Sequence, residues 1–309
     1  MLATDHSEVD RVVFDTGMVR IGAFRCSRYH PSFHDSGPAS NCCFVFPRTA
    51  VEIQHEHQPA FAANPNVVTF YNKGQAYLRN AISADGDRCD WFGVRVDIVQ
   101  DVVRAFDPTV DAYRHSPFRT TRSWSDANTY LTQRRLFDQV LRGATEEPLA
   151  IEESVVRLLE RVLGMAYGRE PTPRLSSTAS RQDEVVRHAE LILSERWNER
   201  LSLRDIATEV GMSAYHLCRL FHRKTGIGLH QYRQQLRVRW SLERVAEVRM
   251  SLVDVALEAG FSSHSHFTST FRQEFGQTPS SLRACRGTPR ARGLGPQFSG
   301  SDIIPKSAR

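Results

Sequence analysis

The sequence predicts an α+β protein of two domains, rich in strands in its N-terminal half and entirely helical in its C-terminal third. The chain has 309 residues, which is enough for two separate hydrophobic cores. Residues 19–100 alternate β-branched and aromatic runs with turn residues, a pattern typical of short strands. Residues 181–285 instead carry apolar residues at helical spacing, and one helical pattern occurs there twice. With 40% hydrophobic and 24% charged residues, the composition excludes a fibrous or wholly disordered chain.

The N-terminal region contains clear strand patterns and, after them, two helix patterns. Strands are predicted at four runs separated by turn residues, namely 43–46, 50–54, 67–71 and 91–96. Short strands at this spacing indicate a small sandwich or barrel. Helices are expected over residues 125–141, with Ser125 as the N-cap, and over residues 149–167. The second helix is apolar over a wide face, so the pair packs on its own barrel, forms a dimer seam, or does both.

Composition also sets the predicted domain boundaries. Residues 168–181 are rich in proline, serine and threonine and lack apolar periodicity, which predicts a linker. The tail has a similar bias toward glycine, proline and serine, which predicts disorder. The expected division is a strand-rich domain over 1–167, the linker over 168–181, a helical domain over 182–286 and a disordered tail over 287–309.

The net charge of +5 is unevenly distributed along the chain. Residues 1–180 hold 20 basic and 22 acidic residues, whereas residues 181–290 hold 17 basic and 12 acidic ones. Residues 211–240 have no acidic residue and six basic ones, which are Arg219, Arg223, Lys224, Arg233, Arg237 and Arg239. This asymmetry indicates contact with nucleic acid or an anionic surface, although a solvated helix face would give the same count.

Cysteine usage and the N-terminal segment predict a cytoplasmic protein. None of the six cysteines has CxxC spacing, and residues 1–10 are polar, unlike a secretory signal. No run of about 18 apolar residues exists, so no membrane contact is expected. Cys42, Cys43 and Cys89 are expected to be buried as small hydrophobic residues, with a thiol sensor as the open alternative.

The repeated helical pattern is the most specific feature of the sequence. When residues 202–221 and 251–271 are aligned on Gly211 and Gly260, each copy has Asp six positions before the glycine, Ala four before and Ser two after. A serine caps each short first helix, and the glycine ends that helix in a left-handed conformation. Two short helices joined by such a turn form a helix-turn-helix, whose second helix enters the DNA major groove.

Two copies about 49 residues apart make this signal much stronger than one copy would. Residues 228–248 lie between them and can form one connecting helix of roughly 30 Å, at about 1.5 Å per residue. This length would place two recognition helices about one turn of DNA apart, near 34 Å. A single chain could therefore read two successive major-groove segments.

Residues 183–285 resemble the DNA-binding domain of AraC/XylS-type transcriptional regulators. The resemblance is most specific in the second copy, over residues 256–267 and 271–280, and it departs from the family at Leu282 and Ser269. It implies a cupin-like N-terminal β-barrel with a dimerising helical hairpin, followed by an all-α double helix-turn-helix domain. It further implies a bacterial, ligand-responsive activator, acting as a homodimer on promoter DNA and RNA polymerase, with an unidentified small-molecule effector and no cofactor.

The outward faces of the two recognition helices carry the candidate DNA contacts. The predicted base contacts are Ser213, Tyr215, Cys218 and Arg219 in the first helix and His264, Ser265, Thr268 and Ser269 in the second. The family's base-reading positions fall on Tyr215, Cys218 and Arg219. We favour Arg219 as a guanine reader, because this is the commonest specific contact, over a phosphate link. The predicted phosphate contacts are Arg223, Lys224, Arg237, Arg239 and Arg272.

The candidate effector pocket consists of His55, His57, Tyr71, Tyr77 and Trp91, in or near the strands. Two histidines two apart face one side of a strand, but no glutamate follows closely, so we expect neither a metal nor a metal-dependent cupin enzyme. Exposed histidines at a strand end and aromatic residues in the core are the simpler interpretations. A DNA-repair alkyltransferase would need a cysteine zinc cluster that the spacing does not supply. An architectural DNA-binder without base preference remains a third class.

Overall fold

The computed structural model describes residues 9–143, 147–168, 177–199, 201–246 and 250–287. The strands are β1 Asp10–Asp15, β2 Val19–Cys26, β3 Cys42–Pro47, β4 Val51–His55, β5 Phe61–Ala63, β6 Val67–Tyr71, β7 Tyr77–Ala81, β8 Asp87–Val94 and β9 Arg122–Trp124. The helices are α1 Val96–Arg104, α2 Ala127–Leu141, α3 Pro148–Tyr167, α4 Ser177–Glu195, α5 Leu203–Glu209, α6 Ala214–Thr225, α7 Leu229–Ala246, α8 Leu252–Glu258, α9 His264–Phe275 and α10 Pro279–Gly287. The architecture is thus a sheet-rich N-terminal region followed by a helical C-terminal region.

The strands form two antiparallel sheets. The larger sheet has the order β1-β2-β8-β3-β6-β9, and the smaller one has the order β5-β4-β7. Strand β8 lies inside the larger sheet, where Phe92 is paired with Ile21 of β2 and with Phe44 of β3. Among the described residues no strand pairing joins the two sheets, so the predicted barrel is not closed by a continuous hydrogen-bond ladder.

The larger sheet separates two hydrophobic cores. On one face, Phe44, Phe46 and Phe92 pack with apolar residues of α1, α2 and α3. On the other face, Val45 and Cys89 pack with residues of the smaller sheet. Because successive side chains of a strand point to opposite faces, β8 contributes to both cores. Helix α3 buries its apolar stripe from Ile151 to Leu163 within the chain, as expected of a helix packed on its own domain, and leaves Leu149 exposed.

Several predicted boundaries are corrected by the structure. Asp126, not Ser125, caps α2, because its carboxylate accepts a hydrogen bond of 2.7 Å from the backbone N–H of Thr129. The last predicted strand ends at Val94, and Val96 begins α1, which the sequence pattern did not reveal. Helix α4 begins at Ser177, inside the predicted linker, while residues 169–176 and 288–309, where the rest of the linker and the tail were predicted, lie outside the described residues.

The helical region consists of two units that share α7. The N-terminal half of α7 packs Leu229, Tyr232 and Leu236 against α4, α5 and α6. Its C-terminal half packs Val238 and Leu242 against α8, α9 and α10. Each unit therefore has its own core, and one helix fixes the position of each unit relative to the other. No helix in the described ranges is both long enough and apolar enough to cross a membrane.

The two regions meet at a buried polar contact formed by the turn between β5 and β6. Asn64 donates hydrogen bonds to the hydroxyls of Ser194, at 2.8 Å, and Tyr232, at 2.6 Å. Asn66 donates to the backbone carbonyl of Tyr232 at 3.1 Å. The side chains of Asn64 and Asn66 are fully buried there. Ion pairs that also join the two regions are Arg122–Glu190, Arg187–Glu52 and Arg48–Glu243.

Candidate nucleic-acid interface

The first helix-turn-helix is built by two serine caps and one glycine. Ser202 and Asp205 form a capping box at the start of α5, where each side chain accepts a hydrogen bond from the other residue's backbone N–H. Gly211 follows the helix with a φ of 67°, which is the left-handed region that glycine adopts most easily. Ser213 then caps α6 by accepting from the backbone N–H of His216. The sequence prediction of these positions is confirmed.

The second helix-turn-helix repeats this construction with a turn that is one residue longer and more closely packed. Ser251 accepts from the backbone N–H of Asp254 at the start of α8, and Ser263 accepts from that of His266 at the start of α9. Gly260 has a φ of 76°. A Cβ atom at Gly260 would lie 2.4 Å from the backbone carbonyl oxygen of Asn198. This glycine therefore permits both the turn and the close approach of the segment after α4.

The first recognition helix, α6, buries one face and exposes the predicted DNA-reading face. Leu217 and Phe221 are fully buried in the core of the first unit. Tyr215 is 65% exposed, Ser213 and Arg219 are also exposed, and Cys218 is half-buried. The Arg219 guanidinium donates to the Tyr215 hydroxyl at 3.2 Å and lies 5.7 Å from the centre of its ring. Because these residues are four apart on one helix face, Tyr215 orients Arg219 toward solvent.

The second recognition helix, α9, presents a shallow groove of short polar side chains. Phe267 and Phe271 are fully buried and anchor the helix in the core of the second unit. His264, Ser265 and Ser269 are exposed, and Thr268 is half-buried. These four predicted reading residues line the groove together with Arg272, Gln273 and Thr278. The groove has one cationic side chain and a row of hydroxyls, which suits hydrogen bonding more than strong electrostatic attraction.

Three of the predicted phosphate contacts lie at the protein surface. Arg223 and Arg272 are exposed. Lys224 is half-buried, and its ammonium group lies 2.7 Å from the carboxylate of Asp183 on α4. Arg223 donates to Gln182 at 3.3 Å, so α4 contacts both basic residues at the end of α6. All three remain candidates for phosphate contact.

Arg237 and Arg239 are not available to phosphate in this structure, which corrects the sequence prediction. Arg237 is buried and donates to the backbone carbonyls of Trp197, at 2.7 Å, and Glu199, at 2.8 Å. Burial lowers the pKa of Arg237 to about 10, with a further contribution from nearby Arg233. Arg239 is 1% exposed and forms an ion pair with Glu274 of α9 at 2.8 Å. Both positions lie on the face of α7 that packs inside the protein, which the charge count could not reveal.

The predicted effector residues divide into three groups. Tyr71, Tyr77 and Trp91 line a cavity of about 210 Å³ between the two sheets. His55 is fully buried, with its ring centre 4.8 Å from that of Tyr71 and the two rings tilted, but it does not line the cavity. His57 lies in the turn after β4 with a φ of 59°, and its side chain is 88% exposed. The prediction of both histidines as pocket residues is therefore wrong, because the strand ends at His55 and the turn directs His57 to solvent.

The environment of His55 also differs from the predicted exposed strand end. Its ring is surrounded by Phe61, Tyr71 and Tyr77, and neither ring nitrogen has a hydrogen-bond partner among the described residues. Burial lowers the pKa of His55 to about 4. The histidine is therefore neutral at physiological pH and acts as a core residue.

Two functional candidates were missed at the sequence level. Arg79 of β7 and Asp87 of β8 both line the cavity, and their side chains form an ion pair of 2.6 Å at 3% and 6% exposure. The only sequence signal was an arginine and an aspartate near predicted strands, which is too common a pattern to single out. Their pairing depends on the packing of the smaller sheet over the larger one.

The cysteines give no sign of a metal or redox centre in the described part of the chain. Cys26, Cys42, Cys43, Cys89 and Cys218 are free thiols. Burial raises the pKa of Cys43 and of Cys89, which keeps both thiols protonated. Within the described ranges, no group of three or more histidine, cysteine, aspartate or glutamate side chains could hold a metal ion.

The second half of the chain is similar in sequence to known regulators of transcription. Residues 206–284 match a family model described as a helix-turn-helix domain. The virulence regulon transcriptional activator VirF of Yersinia enterocolitica is 30% identical over 128 residues, covering 41% of this chain and 47% of the relative. The melibiose operon regulatory protein of Escherichia coli K12 is 28% identical over 158 residues, covering 48% and 51% of the two chains. The chain thus spans about half the length of the curated relatives it matches.

A solved structure shares the same type of domain. The crystal structure of a transcriptional regulator from Chromobacterium violaceum, described as having an AraC-type DNA-binding domain, is 33% identical. The match covers 37% of this chain and all of that chain, with a TM-score of 0.32.

Proposed function

Residues 206–284 form a helix-turn-helix domain of the AraC/XylS type, and we propose on that premise that the chain is a sequence-specific DNA-binding regulator of transcription. The observation that carries the proposal is that α6 and α9 each bury one face and expose the side chains predicted to read bases. Helix α7 has 18 residues and therefore spans roughly 27 Å. This length suits two recognition helices in successive major-groove segments, about 34 Å apart.

Helix α6 is the principal reader in this proposal. Arg219 donates two hydrogen bonds to a guanine edge, a pairing worth about 1–3 kcal/mol of discrimination. Tyr215 holds the guanidinium in place from the preceding turn, and Ser213 and Cys218 contact neighbouring bases. Arg223 and Lys224 follow at the end of the helix and bind phosphates, with Lys224 exchanging its Asp183 partner for the DNA backbone.

Helix α9 makes a second, less discriminating contact. His264, Ser265, Thr268 and Ser269 are short groups that can donate to or accept from several base edges. Arg272 binds a phosphate from the C-terminal end of the same groove. The N-terminus of α9 carries unpaired backbone N–H groups, which favour a phosphate oxygen as well. The second unit therefore fixes the position of the protein along the DNA more than it selects the base sequence.

The N-terminal region is, in the same proposal, a cupin-like sensor that responds to a small molecule. The support is the cavity between the two sheets and its connection to the DNA-binding region through β8. Asp87, Cys89 and Trp91 of β8 line the cavity. Arg88 of the same strand lies 3.5 Å from Glu243 of α7. One strand thus touches both the cavity and the helix that the two DNA-reading units share, so a ligand that shifts β8 would change how α7 is held.

We extend the proposal to an activator that acts as a homodimer and contacts RNA polymerase, with no catalytic activity. The similarity to the Yersinia transcriptional activator VirF supports activation. Two exposed leucines at the end of the hairpin where α2 connects to α3, Leu141 and Leu149, offer apolar surface for a second copy. The regulators found by comparison support a non-enzymatic role.

Selection of binding sites from random duplex DNA tests the proposed function without knowledge of the operator. The full-length protein should enrich one motif of about two helical turns per monomer. Arg219→Ala should lose the preference for guanine at one position and keep the rest of the motif. Arg223→Ala is the matched control, because it removes one exposed arginine from the same helix. It should weaken binding to all sequences and leave the motif unchanged.

Circular dichroism of both variants checks that the helices are retained. Enrichment of no motif by the wild-type protein would favour an architectural DNA-binder and overturn the proposal. An unchanged motif with Arg219→Ala would show that Arg219 contacts phosphate instead of guanine.

A further inference from the structure

The cavity between the two sheets has a chemical character that selects its ligand by charge. We propose that it binds a small uncharged molecule, about the size of a substituted benzene ring, with one hydrogen-bonding group. This inference deepens the proposed ligand-responsive function and depends on it, because it names the class of molecule that the sensor would take. The argument uses the size of the cavity, its apolar walls, its ion pair and its hydroxyl groups.

The size and walls of the cavity limit the size and shape of the ligand. Its volume is about 210 Å³. An apolar cavity of about 150 Å³ holds benzene, so this one has room for a ring with a substituent of a few atoms. Phe24, Val51, Ile53 and Ala63 form apolar wall, and the rings of Tyr71 and Tyr77 pack at 4.8 Å beside them. A flat ring would bury its surface well against these side chains.

The ion pair between Arg79 and Asp87 limits the charge of the ligand. Besides contacting Asp87, the Arg79 guanidinium donates to the Phe33 carbonyl at 2.8 Å, to the Ser36 hydroxyl at 3.0 Å and to the Tyr77 hydroxyl at 3.3 Å. Its positive charge is therefore neutralised by Asp87, and each of its three nitrogens has a polar partner. The pair presents a polar wall without net charge to a ligand in the cavity.

A charged ligand would find no available counterion in the buried part of this cavity, where Arg79 and Asp87 neutralise each other. An anion would need Arg79, and taking it from Asp87 would leave a nearly buried carboxylate without its counterion, which is strongly unfavourable. The carboxylate of Asp10, which lines the mouth and accepts from the Trp91 indole N–H at 2.6 Å, adds repulsion. A cation would lie beside the Arg79 guanidinium, which is 3% exposed and repels it.

An uncharged polar group, in contrast, finds suitable partners. Thr69, Tyr71 and Tyr77 line the cavity, and a hydroxyl group can both donate and accept a hydrogen bond; that of Tyr77 accepts from Arg79 and can donate its O–H to a ligand. Burial raises the pKa of Tyr71 and of Cys89, so these groups stay protonated and add no negative charge. One carbonyl, hydroxyl or amide group on the ligand could therefore form a hydrogen bond in the cavity without the burial of a charge.

Three probes of nearly equal shape test the inference on the full-length protein. These are benzamide, which is neutral, benzoate, which is an anion, and benzamidine, which is a cation at neutral pH. Ligand-detected NMR titration should give benzamide a dissociation constant on the order of 1 mM, the value expected for a probe of about nine heavy atoms. Benzoate and benzamidine should bind at least about tenfold more weakly, because each carries an unpaired charge into the cavity. Binding of benzoate or benzamidine as tight as that of benzamide would overturn the inference.

A charge-changing variant locates the binding in this cavity. Asp87→Asn removes the counterion of Arg79, so benzoate should gain about tenfold in affinity and reverse its order with benzamide. Asp85→Asn is the matched control, since it is the same substitution at an exposed position two residues away. It should leave all three affinities unchanged. If Asp87→Asn folds by circular dichroism and leaves the order unchanged, binding is elsewhere and the inference fails.

These measurements contain no DNA, so they separate this inference from the proposed function. A protein that selects a DNA motif but prefers benzoate would retain the proposed DNA-binding function and refute only the ligand class. A protein that prefers benzamide but selects no motif would support the ligand class and refute the proposed DNA-binding function.

Discussion

Gly211 and Gly260 occupy the same place in the two repeats but experience different constraints. Both have positive φ angles, of 67° and 76°. A Cβ atom at Gly211 would meet nothing within 4 Å, whereas one at Gly260 would meet the Asn198 carbonyl oxygen at 2.4 Å. The first glycine is required by backbone conformation alone, and the second is required by conformation and by space.

Alanine at each glycine should reveal this difference. Gly211→Ala should lower the free energy of unfolding by about 1 kcal/mol, the cost of a left-handed alanine. Gly260→Ala should lower it by about 3 kcal/mol or more, because the segment after α4 must also move away. Urea denaturation of the two variants and the wild type measures both values. Equal losses in the free energy of unfolding would show that the segment at Asn198 moves away without strain.

Whether the role of a residue could be predicted from the sequence depends on its cause. Roles set by the local chain could be predicted, and roles set by tertiary packing could not. The caps Ser202, Ser213 and Ser251 were predictable, because a helix cap is a contact within one turn of the chain. The burial of Arg237 and Arg239 was not predictable from charge, because it depends on which face of α7 meets the rest of the protein. Their hydrogen bonds to distant backbone carbonyls have no signature in the local sequence.

At the level of elements, the two recognition helices differ in charge while sharing a fold. Helix α6 carries Arg219, Arg223 and Lys224, whereas α9 carries Arg272 as its one basic residue apart from histidines. The structure keeps Arg219, Arg223 and Arg272 at the surface. Since phosphate binding is largely electrostatic, α6 should hold DNA more tightly than α9.

This asymmetry should appear as a difference in salt sensitivity along one binding site. Hydroxyl-radical footprints of the selected site should show two protected segments at about 50 mM salt. As salt rises toward about 200 mM, protection under α6 should fall more steeply than protection under α9, because α6 makes more phosphate contacts, and Arg223→Ala should reduce this difference in salt dependence. Equal salt dependence of both segments in the wild-type protein would contradict the prediction.

Strands and helices could be predicted from the sequence where their buried residues recur at one regular spacing along the chain. Strand β6, Val67–Tyr71, was predicted with its observed ends, because it is an apolar β-branched run between two turns. Helix α1, Val96–Arg104, was missed because it follows β8 after a single residue, without a glycine or proline to mark the change. The pairing of β8 between β2 and β3 joins segments far apart in sequence, and no local pattern indicates it.

On the scale of the whole molecule, the two regions are joined by a buried polar contact beside apolar packing of α2 on the second helical unit. The turn at residues 64–66 enters a site between α4 and α7, where Asn64 and Tyr232 are both fully buried. The pair Arg48–Glu243 adds a second connection next to the buried carboxylate of Asp90. Such a contact requires each buried group to keep its partner, so it is specific in geometry and sensitive to small displacements. That sensitivity is what a sensor needs if a change at β8 is to alter the position of α7.

The contact also predicts that the two regions unfold together. Asn64→Ala removes the donor to Ser194 and Tyr232, leaving two buried hydroxyls with one partner fewer, at a cost of about 1–3 kcal/mol. Differential scanning calorimetry should therefore show one transition in the wild-type protein and two separate transitions in this variant. Asn80→Ala is the matched control, because Asn80 is exposed and bonds only weakly to Glu52 at 3.3 Å, and it should keep the single transition. Two transitions already present in the wild type would mean that the regions are independent and that β8 cannot transmit ligand binding through this contact.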